Sequence, residues 1–117
     1  MQRDMELVRE ILLEVESLPF SGGWHDINIA GRSEEEIVYH VLLLHEAGLI
    51  QAQNLTTHGG IDWKPKRLTN ARHEFLDAAR SETVWKRAKE MLAQAAGTVT
   101  LEGLKLALPQ ALKSMLS

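Results

Sequence analysis

The stretch from Ser33 to Leu76 constrains the fold more than any other part of the chain. It opens on Ser33-Glu34-Glu35-Glu36. There the serine hydroxyl can accept from the amide three residues on, and Glu36 can reach back to the Ser33 amide. Three carboxylates in one first turn also suit the positive end of a helix dipole. Ala47-Gly48 supplies the stop, because glycine takes the left-handed position beyond a helix end without steric cost. Two strand-like runs follow, Leu49 to Leu55 and Ile61 to Leu68, with Thr56-Thr57-His58-Gly59-Gly60 as the turn between them. Pro65 makes the second run an edge strand at that point. Thr69 stands where the N-cap of a further helix belongs, and Phe75, Leu76 and Ala79 share one face of that helix. Helix, hairpin and helix in this order are the layout of a winged helix-turn-helix module.

The flanking segments extend the pattern. Met5, Val8, Ile11, Leu12 and Val15 recur at helical spacing between Arg3 and Ser17, with Glu6, Glu10, Glu14 and Glu16 filling much of the rest. Pro19 ends that helix, Ser21-Gly22-Gly23 forms a turn, and Ile27-Asn28-Ile29 alternates like a short strand closed by Gly31. The helix beginning at Ser33 carries Ile37-Val38-Tyr39-His40-Val41-Leu42-Leu43-Leu44, apolar on nearly every side. Such a helix must be buried on nearly every side, by the rest of the chain or by a partner. Ser81-Glu82 reads as a fresh N-cap before the stripe Val84, Trp85, Ala88, Met91, Leu92 and Ala95, which Gly97 stops. Thr100 caps a last helix, with Val99 and Leu104 as its hydrophobic staple. Leu101, Leu104, Leu108, Leu112 and Met115 form its apolar face, and Pro109 should kink it.

These readings give an α+β chain. A winged helix-turn-helix-like domain with a β-hairpin wing occupies residues 1–97. Residues 98–117 form an additional C-terminal helix that packs on the domain or on a partner chain. The expected core is Val8, Ile11, Leu12, Val15, Ile37, Val41, Leu44, Leu49, Leu68, Phe75, Leu76, Trp85 and Leu92.

Composition narrows the function classes. A chain of 117 residues with no cysteine can form neither a disulfide framework nor a thiolate metal site. No apolar run approaches the ~20 residues of a membrane span, and the start leads into an amphipathic helix rather than a signal peptide. We therefore expect a soluble, cytoplasmic protein. The net charge of −3 hides a division. Residues 1–62 hold three Lys/Arg against eleven Asp/Glu, and residues 63–117 hold ten against five. Such asymmetry fits an oriented electrostatic partner, or pairing of the two halves with each other.

Three segments resemble the domain-of-unknown-function family 2513, small proteins of bacteria and their phages and prophages. They are Arg3-Asp4-Met5-Glu6-Leu7-Val8-Arg9 with Ile11-Leu12; Glu35-Glu36-Ile37-Val38-Tyr39-His40-Val41 running to Glu46-Ala47-Gly48-Leu49-Ile50; and Arg67-Leu68-Thr69 with His73-Glu74-Phe75-Leu76-Asp77 and Val84-Trp85-Lys86. Asn70-Ala71-Arg72 departs from the family's pattern, where a Trp-Glu-Gly triplet stands. The resemblance implies a winged-helix-like fold and a phage or prophage origin. It implies no activity.

The basic edge of the wing is the first candidate site. Trp63, Lys64, Lys66, Arg67 and Arg72 could lie along a phosphate backbone, where cations release counterions. The same charges and Pro65 equally suit a solvated edge strand protected from aggregation. Lys86, Arg87 and Lys89 form a second basic cluster, or a plain exposed helix face. The helix that would enter the major groove starts on three glutamates, where base contacts usually originate, and carboxylates repel phosphate. Only Arg32 and Ser33 could help there. His40 and His45 are five apart, not the four that place two zinc ligands on one helix face. His25, His58 and His73 are scattered, and Asp26 beside His25 lacks a third group for acid–base chemistry. No cofactor or metal is expected, and no catalysis. Two functions stay open. One is a DNA-associated accessory or regulatory role through the basic wing, with weak sequence specificity for double-stranded DNA. The other is a protein–protein interaction module with no DNA binding. Tyr39, Leu42, Leu101, Leu104, Leu108, Leu112 and Met115 are the expected oligomer or partner interface, and we expect a homodimer.

Overall fold

The computed structural model describes residues 3–19, 23–69 and 73–116. The chain forms seven elements: α1 (Met5–Ser17), α2 (Glu34–Glu46), β1 (Ile50–Asn54), β2 (Trp63–Leu68), α3 (His73–Arg80), α4 (Glu82–Ala96) and α5 (Leu101–Leu116). They divide into two compact units, Met1–Ala71 and Arg72–Ser117. The boundary therefore falls before α3, not at residue 97. The reason is packing: α5 lies against α3 and α4, so these three helices share one core.

In the first unit α1 packs on α2 and on β2, and α2 packs on both strands. Asp4 caps α1 by accepting from the amides of Glu6 and Leu7. The buried side of α1 is Met5, Leu7, Val8, Ile11, Leu12 and Val15. Fully burying an aliphatic side chain of this size contributes about 1.5–3 kcal/mol. At the start of α2 both arms of the Ser33/Glu36 capping box are made. Its end is a Schellman turn, with Gly48 at φ 76° and the Leu49 amide donating to the Leu44 carbonyl. The apolar surface of α2 is taken up by the chain's own elements. Ile37, Val38, His40, Val41 and Leu44 are buried, while Tyr39, Leu42 and Leu43 are half-buried.

The hairpin is antiparallel, and Lys66 has no partner in the register, which shifts between Gln51/Arg67 and Ala52/Pro65. Pro65, which has no amide proton, sits beside this bulge, where a missing ladder bond costs least. The hairpin turn closes on mutual hydrogen bonds between Thr57 and Gly60. Residues 27–29 form no strand. Ile27 is buried, and His25 N–H donates to the Pro65 carbonyl (2.9 Å), but no strand pairing joins residues 27–29 to the sheet among the described residues. A three-residue alternation is too short to hold a ladder. Consequently α1 and α2 are not joined by the 3–4-residue turn of a helix-turn-helix; an extended segment intervenes. The amides that Thr69 would cap lie outside the described residues. The Thr69 hydroxyl donates to the carbonyls of Gly48 and Leu49, prolonging the hairpin.

In the second unit Ser81 caps α4, and Thr100 accepts from the Gly103 amide at the start of α5. Gly97 ends α4 in the left-handed conformation. Phe75, Ala78, Ala79, Val84, Trp85, Ala88, Leu101, Leu104, Ala107, Leu108 and Ala111 are buried. Helix α5 continues on both sides of Pro109. Of the expected core, Leu68 and Leu92 are half-buried, and the Leu76 side chain lies outside the described residues.

Candidate functional site

The basic residues of the hairpin and the start of α2 were the leading candidates, and their surroundings decide what they can do. Lys64 projects from β2 with its Nζ 3.0 Å from Asp26, 3.6 Å from Glu34 and 3.7 Å from Asp62. Its side chain is only 14% exposed. One ammonium thus joins the extended segment, the first turn of α2 and the hairpin. The hydrogen bond it donates to Asp26 raises its pKa against the opposing effect of burial, and the charges of Asp62, Asp26 and Glu34 add to the rise. A lysine surrounded in this way has its charge cancelled at short range and is poorly placed to meet a phosphate.

Arg32 is held in the same manner. Its guanidinium donates to the Asp4 carboxylate and lies 3.6 Å from Glu36. Burial pushes the Asp4 carboxyl up, but the Arg32 hydrogen bond and the Leu7 and Glu6 amides prevail and hold it below the usual aspartate range. Glu36 is likewise lowered, first by the Ser33 amide. The Asp4 amide in turn donates to Nε2 of His40 at 2.8 Å, while Nδ1 of His40 lies 2.7 Å from the Glu36 carbonyl. The acceptor role of Nε2 leaves Nδ1 as the donor, so His40 is the neutral Nδ1–H tautomer. Asp4, Arg32, Glu36 and His40 therefore form one polar hub that fixes the start of α1 to α2.

The remaining candidates are less constrained. Trp63 is half-buried with its ring 5.0 Å from that of His45. Lys66 is half-buried and Arg67 exposed. Arg72 lies outside the described residues. In the second unit Lys86 and Arg87 are exposed, Arg87 lies 4.0 Å from Glu90, and Lys89 is half-buried. Of the expected interface, Leu101, Leu104 and Leu108 are buried in the core of the second unit and present no free surface. Tyr39, Leu42 and Leu112 are half-buried, and Met115 is 45% exposed. Among the described residues no group of three or more His, Asp or Glu side chains could hold a metal ion, and no helix is long and apolar enough to cross a membrane.

The partners of Lys64 and Arg32 were not visible in the sequence because most of them come from distant segments. The charge balance by unit was. Residues 1–71 carry six Lys/Arg against eleven Asp/Glu, and residues 72–117 carry seven against five. The unit with the hairpin is the acidic one.

Comparison with known proteins agrees with the sequence resemblance. The family model described as Hypothetical protein (DUF2513) matches residues 2–98. An uncharacterized protein of Haemophilus influenzae is 32% identical over 106 residues, covering 90% of each chain. No solved structure matches the chain.

Proposed function

The chain belongs to the DUF2513 family, and from that premise we propose that it is a non-enzymatic protein–protein interaction module built on a winged-helix-like first unit. The observation that carries this reading is the engagement of Arg32 and Lys64. They stand just before α2 and on β2, and carboxylates hold both. The three glutamates of the first turn of α2 add repulsion toward phosphate. Exposed apolar side chains supply contact area of the kind a protein partner buries: Ile61 is 70% exposed at the hairpin tip and Trp24 is 44% exposed. A cytoplasmic location and the phage or prophage origin implied by the resemblance belong to the same proposal.

The second reading, DNA contact, rests on Lys66, which has no carboxylate partner among the described residues, and on neighbouring Arg67. Fluorescence anisotropy of a labelled random duplex, titrated at several low salt concentrations, separates the two. The interaction reading expects no binding even at the lowest salt. Binding whose affinity falls steeply with salt, and which is lost in a Lys66→Glu/Arg67→Glu variant, overturns it and counts the phosphates contacted.

A further inference from the structure

Helix α5 keeps its apolar side against α3 and α4, and the side it turns to solvent has an order of its own. Leu101, Leu104, Ala107, Leu108 and Ala111 are buried. On the opposite face stand Glu102, Leu106, Pro109 and Lys113, spaced four, three and four residues apart. At about 100° per residue these positions fall within about 60° of one another round the helix. Their spacing is that of a coiled-coil seam. The Glu102 side chain is 73% exposed, Leu106 is 74% exposed and Lys113 is exposed, while Pro109 is half-buried.

A single exposed leucine says little about partners. Its place between charges of opposite sign says more. Glu102 carries a negative charge in the first turn of α5 and Lys113 a positive charge in the last, with Leu106 and Pro109 between them. Those charges suit the ends of the helix dipole, but the dipole gives no reason for an exposed leucine at seam spacing between them. The row is also symmetric about its midpoint. Turned end for end, Glu102 falls on Lys113 and Leu106 falls on Pro109. Glu102 lies 3.5 Å from Lys105 within the helix, an exposed contact that contributes little, so its carboxylate can meet a second cation.

We propose that two copies of the chain associate through this face, α5 antiparallel to α5 about a two-fold axis level with the Ala107–Leu108 peptide bond. In that arrangement Glu102 of each copy meets Lys113 of the other, and Leu106 of each lies on the Pro109 ring of the other. The two Leu106 side chains are offset by about 4.5 Å along the axis, close enough to touch across it. Lys105 and Gln110 flank the seam and face each other in the same register, and the glutamine oxygen can accept from the ammonium. A parallel pair would instead set Glu102 against Glu102 and Lys113 against Lys113. The charges thus select the antiparallel pairing, and that self-complementarity under a two-fold axis, the commonest symmetry of soluble oligomers, identifies a second copy as the occupant. The contacts are between side chains of the outer face, so neither copy has to open its core or free backbone groups to pair. The inference rests on the outer face of α5, and it stands whether or not the protein-interaction reading of the first unit does.

Three measurements on the full chain test it. One helix pair covers less than the roughly 1,200 Å² of a standard interface, so sedimentation equilibrium is carried up to about 1 mM, where even a weak dimer is populated. A reversible monomer–dimer equilibrium is expected; a monomer throughout overturns the proposal. Leu106→Lys exchanges one good helix former for another at an exposed position, so the urea midpoint of the monomer is expected to hold. The dissociation constant is expected to rise about tenfold or more; a dimer of unchanged affinity overturns the proposal. Lys113→Glu sets carboxylates against Glu102 across the axis and is expected to weaken the dimer by a similar factor. Glu102→Lys/Lys113→Glu reverses both charges, keeps every cross-pair opposite in sign and is expected to restore dimerisation. A dimer indifferent to Lys113→Glu, or one not regained in the double variant, overturns pairing through this face.

Discussion

The first unit is tied together by polar contacts between residues far apart in the chain, whereas three ion pairs of the second each lie within one helix. Asp4 reaches His40 and Arg32, 36 and 28 positions away, and Lys64 reaches Asp26 and Glu34. In the second unit Asp77–Arg80, Arg87–Glu90 and Glu102–Lys105 are all i,i+3 pairs. Pairs of that kind stabilise a helix by only about 0.2–0.5 kcal/mol each. The cohesion of the second unit comes from close apolar packing. Phe75 and Trp85 meet edge to face at 6.1 Å, five alanines are buried, and α5 approaches Leu92 so closely that a Cβ on Gly103 would lie 3.0 Å from it. Three helices can be held by such contacts alone. The first unit must also position an extended segment, residues 23–33, that has no ladder to hold it, and there the distant polar contacts fix the geometry.

The largest test of this contrast is Leu104→Ala. Leu104 is fully buried where α5 meets its neighbours, and the lost burial plus the residual cavity should cost about 2–5 kcal/mol. Urea unfolding followed by circular dichroism measures it. A loss below 1 kcal/mol would mean that the helices close over the gap and that tight packing is not what holds the unit.

The matching experiment in the first unit removes the polar hub. His40→Ala leaves the Asp4 amide without its acceptor and opens a cavity between α1 and α2, at a cost of about 2–4 kcal/mol. Glu90→Ala, which cuts a local pair in the second unit, should change stability by less than about 0.5 kcal/mol. Equal costs for the two would erase the distinction.

What was legible in the sequence divides along the same line. The Ser33 box, the Ser81 and Thr100 caps and the glycine stops at Gly48 and Gly97 all depend on neighbours within a few residues, and all are found. Helix faces were equally readable, because periodicity alone gave Val8, Ile11, Leu12, Val41, Leu44 and Trp85 as core. What the sequence did not show involves distant partners. The hydrogen bonds from the Thr69 hydroxyl to the carbonyls of Gly48 and Leu49, about twenty positions back, have no signal in the local sequence. The carboxylates of Asp26, Glu34 and Asp4 that folding brings to Lys64 and Arg32 could not be read from sequence order. The apolar α2 and α5 looked like interfaces because nothing local says which elements will cover them. Arg72 and Leu76 offer no comparison, since the residue and the side chain lie outside the described residues.

Acid titration probes the hub more gently. The folded-state carboxyl of Asp4 lies below the usual aspartate value, so it adds stability above about pH 4. That contribution is lost as pH falls through the lower folded value. Asp4→Asn keeps a good N-cap but discards the charge facing Arg32. The side chains are 36% and 23% exposed, so solvent screening limits the loss at neutral pH to about 0.5–1 kcal/mol. The clearer signature is a flatter decline of stability with acid in the variant, read from urea midpoints at a series of pH values. An unchanged slope would assign the acid sensitivity elsewhere, with Glu36 the next candidate because its carboxyl is lowered too.

The smallest effect compares two glycines that share one conformation. Gly48 ends α2 at φ 76° and Gly97 ends α4 at φ 75°, and a Cβ at either position meets nothing within 4 Å. Substitution by alanine is therefore a purely conformational cost, about 1 kcal/mol at each site. The consequences beyond the turn differ. Past Gly48 the chain enters the hairpin at once, and the Leu49 carbonyl accepts from Thr69, so a backbone that relaxes to avoid positive φ also disturbs the first rung of the sheet. Past Gly97 it enters a short connection to α5 whose cap, Thr100, acts on its own helix. Gly48→Ala should thus cost more than Gly97→Ala, by up to the worth of one backbone hydrogen bond, about 1 kcal/mol. Equal losses in parallel unfolding curves would show that the hairpin absorbs the shift, and that the tight specification of the first unit lies in its side-chain hub rather than in this turn.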